Sequence, residues 1–394
     1  MGKMGLFTIH FANSSKIFYP GQDVQGEVQL QVKDEVKIRE IRLKFEGAAN
    51  VRWTENRGTG KHRRTVTYSS SELYFNQVVH CQSPPNGEDR MMLQPGSYRY
   101  PFQFQLPPDT PSSFEGYCGR VRYYVKATMD IPWAFDDELT SYFTVLQLLD
   151  LNTLPQATNP GDAEGSKTLC CLCCKSGPIT GKHRIDRLGY VPGEAIPIMA
   201  ECINHSSRDV KMTSMQLVQV TSYITPRKTK PISIAVQEVK RQLVPRGDSD
   251  YWSGQSLVIP PLPASDLLGC NIIDIQYHWQ YVCEPSGPAF SLRVPINIII
   301  GGIPLVSSVQ QYGAINPMNY GINGTMPPPP SVAFPDNVPT PGFASFSTQG
   351  QTSENQGGGN TDQPGDDTET DTFAPRYPYY NWNQYDTTYK PQFY

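Results

Sequence analysis

The sequence predicts an all-β protein, two tandem immunoglobulin-like β-sandwiches followed by a disordered tail. Three observations carry that prediction. Apolar residues recur at every second position in several short runs, the period of a strand with one buried face. A turn signature occurs twice, as Tyr19-Pro20-Gly21 and Tyr190-Val191-Pro192-Gly193, and each copy opens a series of such runs. Beyond Pro304 the alternation stops and proline, glycine, glutamine and acidic residues take over, a composition that buries too little apolar surface to offset ordering.

The chain's 394 residues allow two ordinary domains and an appendage, and a hydrophobic content of 38% is low enough that part of it is expected not to fold. The net charge is −4, with eight acids and two bases in residues 307–394. Once the tail's excess of acids is set aside the body is close to +2, too weakly basic for general nucleic-acid binding. Met1 to Ile9 lacks the apolar core of a signal peptide. The longest apolar run, Ile296 to Val306, is broken by Asn297, Gly301, Gly302 and Pro304 and is too short to span a bilayer. Met1-Gly2 is followed by Leu6 where a myristoylation signal needs Ser or Thr. Nine cysteines, odd in number and clustered, fit a reducing cytoplasm. The sequons at Asn13, Asn204 and Asn323 are then chance matches.

The first sandwich is expected over residues 5–150. Leu6 to Phe11 is a short β-rich run, and the turn at Tyr19 leads into Val24, Gly26, Val28, Leu30 and Val32 on one face. Val36 to Ala48 alternates Ile41, Leu43 and Phe45 with charged residues, so strand is cheaper than a helix ringed by charge. Arg57 to Arg64 is a basic loop between strands. Val121, Tyr123, Val125 and Ala127 mark another strand, and Thr140 to Leu149 the last of this half. About seven short strands punctuated by Pro and Gly imply an antiparallel sandwich.

The second sandwich is expected over residues 169–306, with 151–168 as linker. Leu106-Pro107-Pro108 is matched by Ile259-Pro260-Pro261, and Val121 to Val125 by Ile275 to Trp279. Two copies of one fold, separated by insertions, explain these matches better than one large sheet. Relative motion between the halves is the default expectation. The tail, 307–394, ends in closely spaced aromatics from Phe373 to Tyr394. Aromatics in that setting read as linear motifs that insert into a partner's pockets, or as sticky low-complexity sequence.

No enzyme signature survives inspection, and no cofactor is implied. Gly60-Lys61 resembles a phosphate loop only in that pair, because Glu55 and His62 stand at the other defining positions. His80 and Cys81 are adjacent on a strand and so point to opposite faces. Cys170, Cys171, Cys173 and Cys174 cannot close round one zinc ion within five residues, so no metal site is expected. They read either as part-buried thiols on an interdomain segment or as a palmitoylation cluster that would give peripheral membrane association. Lys61, Arg63 and Arg64 are candidates for contact with phosphate or acidic cargo segments, or are simply solvated. WW domains take Pro-Pro-x-Tyr, whose extended geometry is preformed. The tail offers Pro375-Arg376-Tyr377, Pro378-Tyr379-Tyr380 and Pro391-Gln392-Phe393, each keeping proline and aromatic but lacking the first proline. Pro327, Pro328, Pro329 and Pro330 supply a polyproline stretch without a tyrosine, which SH3 proteins could also read.

The residues between the two halves resemble the α-arrestins, the arrestin domain-containing proteins. The likeness is carried by Asp150-Leu151-Asn152-Thr153, Lys167-Thr168-Leu169-Cys170-Cys171, Ser176-Gly177-Pro178-Ile179, Ile185 through Glu194, and Ile300-Gly301-Gly302-Ile303-Pro304-Leu305. It covers residues 5–306 in order. The resemblance implies an arrestin fold. It also implies a cytoplasmic adaptor at plasma membrane and endosomes that binds membrane receptors or transporters and recruits WW-domain HECT-type ubiquitin ligases, promoting ubiquitination, endocytosis and sorting. A retromer-like coat or scaffold subunit without a ubiquitin role is the alternative. Lys16 stands alone where phosphate-sensing arrestins carry a lysine pair, so strict phosphoreceptor sensing is not implied.

Overall fold

Alternation becomes two sandwiches with the same strand order. The computed structural model describes residues 4–59, 62–85, 88–171, 174–312, 341–345 and 373–382. The first half holds β1 (Met4–Phe11), β2 (Ile17–Phe18), β3 (Asp23–Val32), β4 (Val36–Ile38), β5 (Glu40–Arg57), β6 (Arg64–Gln82), β7 (Met91–Leu93), β8 (Gly96–Gln105), β9 (Phe114–Glu115), β10 (Gly119–Asp130) and β11 (Asp137–Val145). One sheet runs β1-β3-β8, and the facing sheet runs β2-β11-β10-β5-β6 with β9 beside β10. The second half holds β12 (Gly161–Cys171), β13 (Cys174–Ile185), β14 (Gly189–Tyr190), β15 (Ala195–Asn204), β16 (Val210–Thr225), β17 (Lys228–Val244), β18 (Ser249–Val258), β19 (Ile273–Pro285) and β20 (Leu292–Ile300). Its sheets run β12-β13-β15-β18 and β14-β20-β19-β16-β17. Removing β12 makes the two orders superimpose.

The repeat extends to individual hydrogen bonds. Gly21 N–H donates to Leu106 O at 3.1 Å, and Gly193 N–H donates to Ile259 O at 2.8 Å. Tyr123 and Tyr277, both buried in the central strand, donate their hydroxyls to Pro111 O and Pro263 O at 2.7 and 2.8 Å. A buried tyrosine needs such a partner. In both halves a short strand pairs parallel with the last one, β2 with β11 and β14 with β20. Inward positions on β10, namely Val121, Tyr123, Val125, Ala127 and Met129, are fully buried, as the alternation requires. One apolar core runs through both sandwiches, with Tyr223 of β16 lodged against Gly116 and Gly119 of the first half.

Several boundaries move. The strand expected over Val36 to Ala48 is broken at Arg39, and its second part, β5, continues to Arg57. The segment 151–168, expected as linker, is instead two 3₁₀ turns (Leu151–Thr153 and Pro155–Thr158) and most of β12. The second sandwich therefore starts near Gly161, eight residues before Leu169. Its alternation is carried by Gly161, Ala163 and Gly165, residues too small to register as apolar. A Cβ at Gly165 would lie 2.9 Å from Val294, so a larger side chain is excluded there. Among the described residues past Leu305, helix α1 (Val306–Tyr312), β21 (Gly342–Ser345) and β22 (Arg376–Tyr379) pack on the body, the last two paired antiparallel.

Candidate functional site

The basic loop sits at the tip of the β5–β6 hairpin, where Arg57 and Arg64 close the ladder opposite one another. The equivalent hairpin of the second half, β16–β17, turns at Pro226-Arg227 and brings Lys228 and Lys230 to the same place. Lys228 Nζ bridges both Glu55 carboxylate oxygens at 2.7 Å, tying the two tips together across the domain boundary. This hydrogen bond holds the Glu55 carboxyl below its ordinary range. Beneath the charges lie two buried rings, Trp53 and Tyr68, stacked at 5.1 Å. Arg57 and Lys228 lie over Tyr68 at 5.7 and 5.8 Å, and Lys230 lies between Trp53 and Tyr117 at 6.0 and 5.6 Å. Ring faces attract the cations and hold them without neutralising them. Arg57, Arg63, Arg64 and Arg227 are exposed, and no carboxylate among the described residues lies within ion-pair distance of them. The result is a cationic crest astride the seam, suited to phosphate or carboxylate groups.

Of the three basic candidates, Arg63 and Arg64 belong to this crest and Lys61 lies outside the described residues. Arg57, read as part of the basic loop, was not named as a contact candidate, and Lys228 and Lys230 were missed. Carrying the repeat across would have found the last two, because Arg227-Lys228-Thr229-Lys230 follows the turn equivalent to the basic loop.

A second feature lies where residues 373–382 return to the body. Pro375, Tyr377, Pro378 and Tyr380 are all buried, so they are not presented to solvent as linear motifs. That corrects the expectation for these four residues. Their aromatics do enter pockets, but the pockets belong to the same chain. Tyr377 packs with Ile17, Tyr19 and Leu146 and donates its hydroxyl to Ser113 O at 3.3 Å. Tyr380 and Trp382 pack with Leu151, Val191, Leu305 and Val309. Tyr380 also donates its hydroxyl to Gly302 O at 2.6 Å and its N–H to Pro192 O at 3.0 Å. Pro327, Pro328, Pro329, Pro330, Pro391 and Phe393 lie outside the described residues. Cys171 pairs with Cys174 at the end of the β12–β13 hairpin. The side chains of Cys170, Cys171 and Cys174, and the whole of Cys173, lie outside the described residues. No helix among the described residues is long and apolar enough to cross a membrane.

Comparison with known proteins decides the family. Residues 7–152 match the family model described as "Arrestin (or S-antigen), N-terminal domain", and residues 175–305 match its C-terminal counterpart. Arrestin domain-containing protein 17 of Caenorhabditis elegans is 31% identical over 340 residues, covering 83% of this chain and 77% of that protein. Human arrestin domain-containing protein 4 is 34% identical over 289 residues, covering 72% and 68%. The chain is an α-arrestin.

Another relative is the rat thioredoxin-interacting protein, 30% identical over 300 residues, with 75% of this chain and 74% of that protein covered. The two matched regions fall on the two sandwiches, the second leaving out β12, and this α-arrestin's crest is built from one hairpin of each. Arrestin-like proteins form an adaptor family.

Proposed function

We propose that this α-arrestin is a non-enzymatic trafficking adaptor. The crest takes anionic cytoplasmic segments of membrane receptors or transporters, acidic or phosphorylated. The tail recruits a WW-domain ubiquitin ligase of the HECT type, so that cargo is ubiquitinated, internalised and sorted from plasma membrane to endosomes. The observation that carries this reading is the crest, where guanidinium and ammonium groups from both sandwiches converge over an aromatic floor with one carboxylate, Glu55, among them. The cysteine-rich hairpin, if acylated, would add peripheral membrane attachment.

Two outcomes are expected. The full chain binds a peptide carrying clustered Glu and phosphoserine, and Arg57→Ala/Arg63→Ala/Arg64→Ala weakens it by at least about tenfold, since a hydrogen bond to a charged group contributes roughly 1.5–3 kcal/mol. Raising salt lowers wild-type affinity toward the variant's, as exposed charges require. Equal affinity at low salt removes the crest from the reading. On the tail side, the full chain captures a WW ligase, and Tyr377→Ala/Tyr380→Ala/Phe393→Ala reduces capture at least about tenfold, because the motif tyrosine fills a pocket of its own. Undiminished capture places the ligase contact elsewhere.

A further inference from the structure

Residues 373–382 bridge the two sandwiches. Phe373 lies against Tyr142 of β11 at 5.4 Å, and Tyr377 enters the cluster of the first half beside Ile17 and Leu146. Three residues on, Tyr380 enters the cluster formed by Leu151 of the connecting turn, Val191 of the second half and Leu305. The same few residues thus fill one socket on each side of the seam. Joining is incomplete in two places. Trp382 Nε1 and Gln147 Oε1 are buried, and neither has a hydrogen-bond partner among the described residues. Unpaired buried polar atoms work against docking and lower the cost of leaving.

We propose that the seam is a binding site for a proline-tyrosine segment, filled in cis by residues 373–382, which act as a releasable strap holding the two sandwiches together. Docked, the strap hides Pro375, Tyr377, Pro378 and Tyr380; released, it frees both these residues and the seam. If the ligase reading above is right (and only this step rests on it), a WW domain and the seam compete for the same side chains. Binding of one then opposes the other by the same factor, as linkage requires. A WW domain would see its affinity reduced by the fraction of chains with the strap released.

The repeat supplies a matched test. Gly193 has φ 95°, and a Cβ there would lie 1.9 Å from Tyr380 O. Gly21, its counterpart in the first half, has φ 80° and nothing within 4 Å of a Cβ. Alanine therefore strains both turns, but clashes with the strap only at Gly193. Hydrogen exchange on the full chain is expected to show residues 373–382 exchanging at least about tenfold faster in Gly193→Ala, with less than twofold change in Gly21→Ala. Exchange of the Asn271 amide, which is donated across the domain boundary to Glu72, should accelerate in the same variant. Tyr380→Ala, which leaves both turns intact, is the second variant and should release the strap likewise. Unchanged protection of 373–382 in both Gly193→Ala and Tyr380→Ala overturns the strap, and so does protection that rises with protein concentration, which would place the segment on a second copy. Release without a change at Asn271 overturns its role in holding the sandwiches. Release in Gly193→Ala, which keeps every side chain of the strap, with no gain in WW-domain binding upholds the strap and removes the ligase reading.

Discussion

Replacing Arg187 by methionine is expected to destabilise the second sandwich by about 3–5 kcal/mol, the usual cost of leaving one partner of a buried ion pair behind. The guanidinium is 12% exposed and its partner Glu194 only 4% by side chain, at 3.1 Å. Arg187 also donates to Ser308 Oγ of α1 at 2.7 Å and lies 4.2 Å over the Tyr190 ring. The other Glu194 oxygen accepts the Val191 N–H at 2.8 Å, closing the Tyr190 to Glu194 turn on itself. Burial pushes the Glu194 carboxyl upward and Arg187 pulls it back. Without Arg187 the upward push of burial is opposed only by hydrogen bonds from Val191 and Ser308, so the carboxyl moves further upward and the variant's deficit shrinks as pH falls. Arg187→Met/Glu194→Gln should recover most of the loss, because the uncompensated charge is gone. Chemical denaturation of the wild type and both variants at pH 7 and pH 5 reads this directly. A loss below about 1 kcal/mol for Arg187→Met would mean that the pair behaves as a solvent-screened surface bridge.

That pair also marks where sequence reading stops. Ile185 to Glu194 stands out in the sequence as a turn that begins a domain, and the hydrogen bonds of Gly21 and Gly193 place it at the same point in both halves. Local chemistry suffices for this, since a Pro-Gly turn and a period of two are properties of adjacent residues. Partners across the fold are not. Ser308 reaches Arg187 over 121 positions and Lys228 reaches Glu55 over 173, and no local pattern encodes either distance. Strand β12 was lost for another reason, because glycine and alanine supply its inward face and small residues give no hydrophobic signal. The tail aromatics read as residues that enter pockets, but nothing local in the sequence shows that Tyr377 and Tyr380 enter pockets of the same chain. Tyrosine rings fill apolar pockets wherever those are offered, and here Ile17 and Leu146 on one side of the seam and Leu151, Val191 and Leu305 on the other line them.

His183 provides the second large effect, in pH rather than in mutation. It lies on β13, buried, with Nε2 bonded to Val294 O at 2.8 Å and its ring 6.3 Å from that of Tyr281. Val294 O can only accept, so Nε2 carries the proton and Nδ1 is the bare nitrogen. Nδ1 has no partner among the described residues, and a proton placed there would be a buried N–H with nowhere to donate. Burial accordingly pushes the imidazole down to about 4 from its ordinary 6.5. The folded value lies below the unfolded one, so the unfolded chain binds the extra proton. The stability tied to neutral His183 is therefore complete above pH 6.5, declines as pH falls through the window from 6.5 to 4, and is lost below it. At about 1.4 kcal/mol per pH unit the full loss is about 3.5 kcal/mol, of which about 3 kcal/mol has gone by pH 4. Carboxylates titrate in part of the same window, so the informative quantity is the difference from His183→Gln, which keeps a donor for Val294 O and has no proton to gain. The stability of that variant should fall about 3 kcal/mol less than the wild type's between pH 7 and pH 4, read from denaturation midpoints of the second sandwich. Parallel curves would mean that His183 is protonated inside the folded domain, and that Nδ1 finds an acceptor when it is.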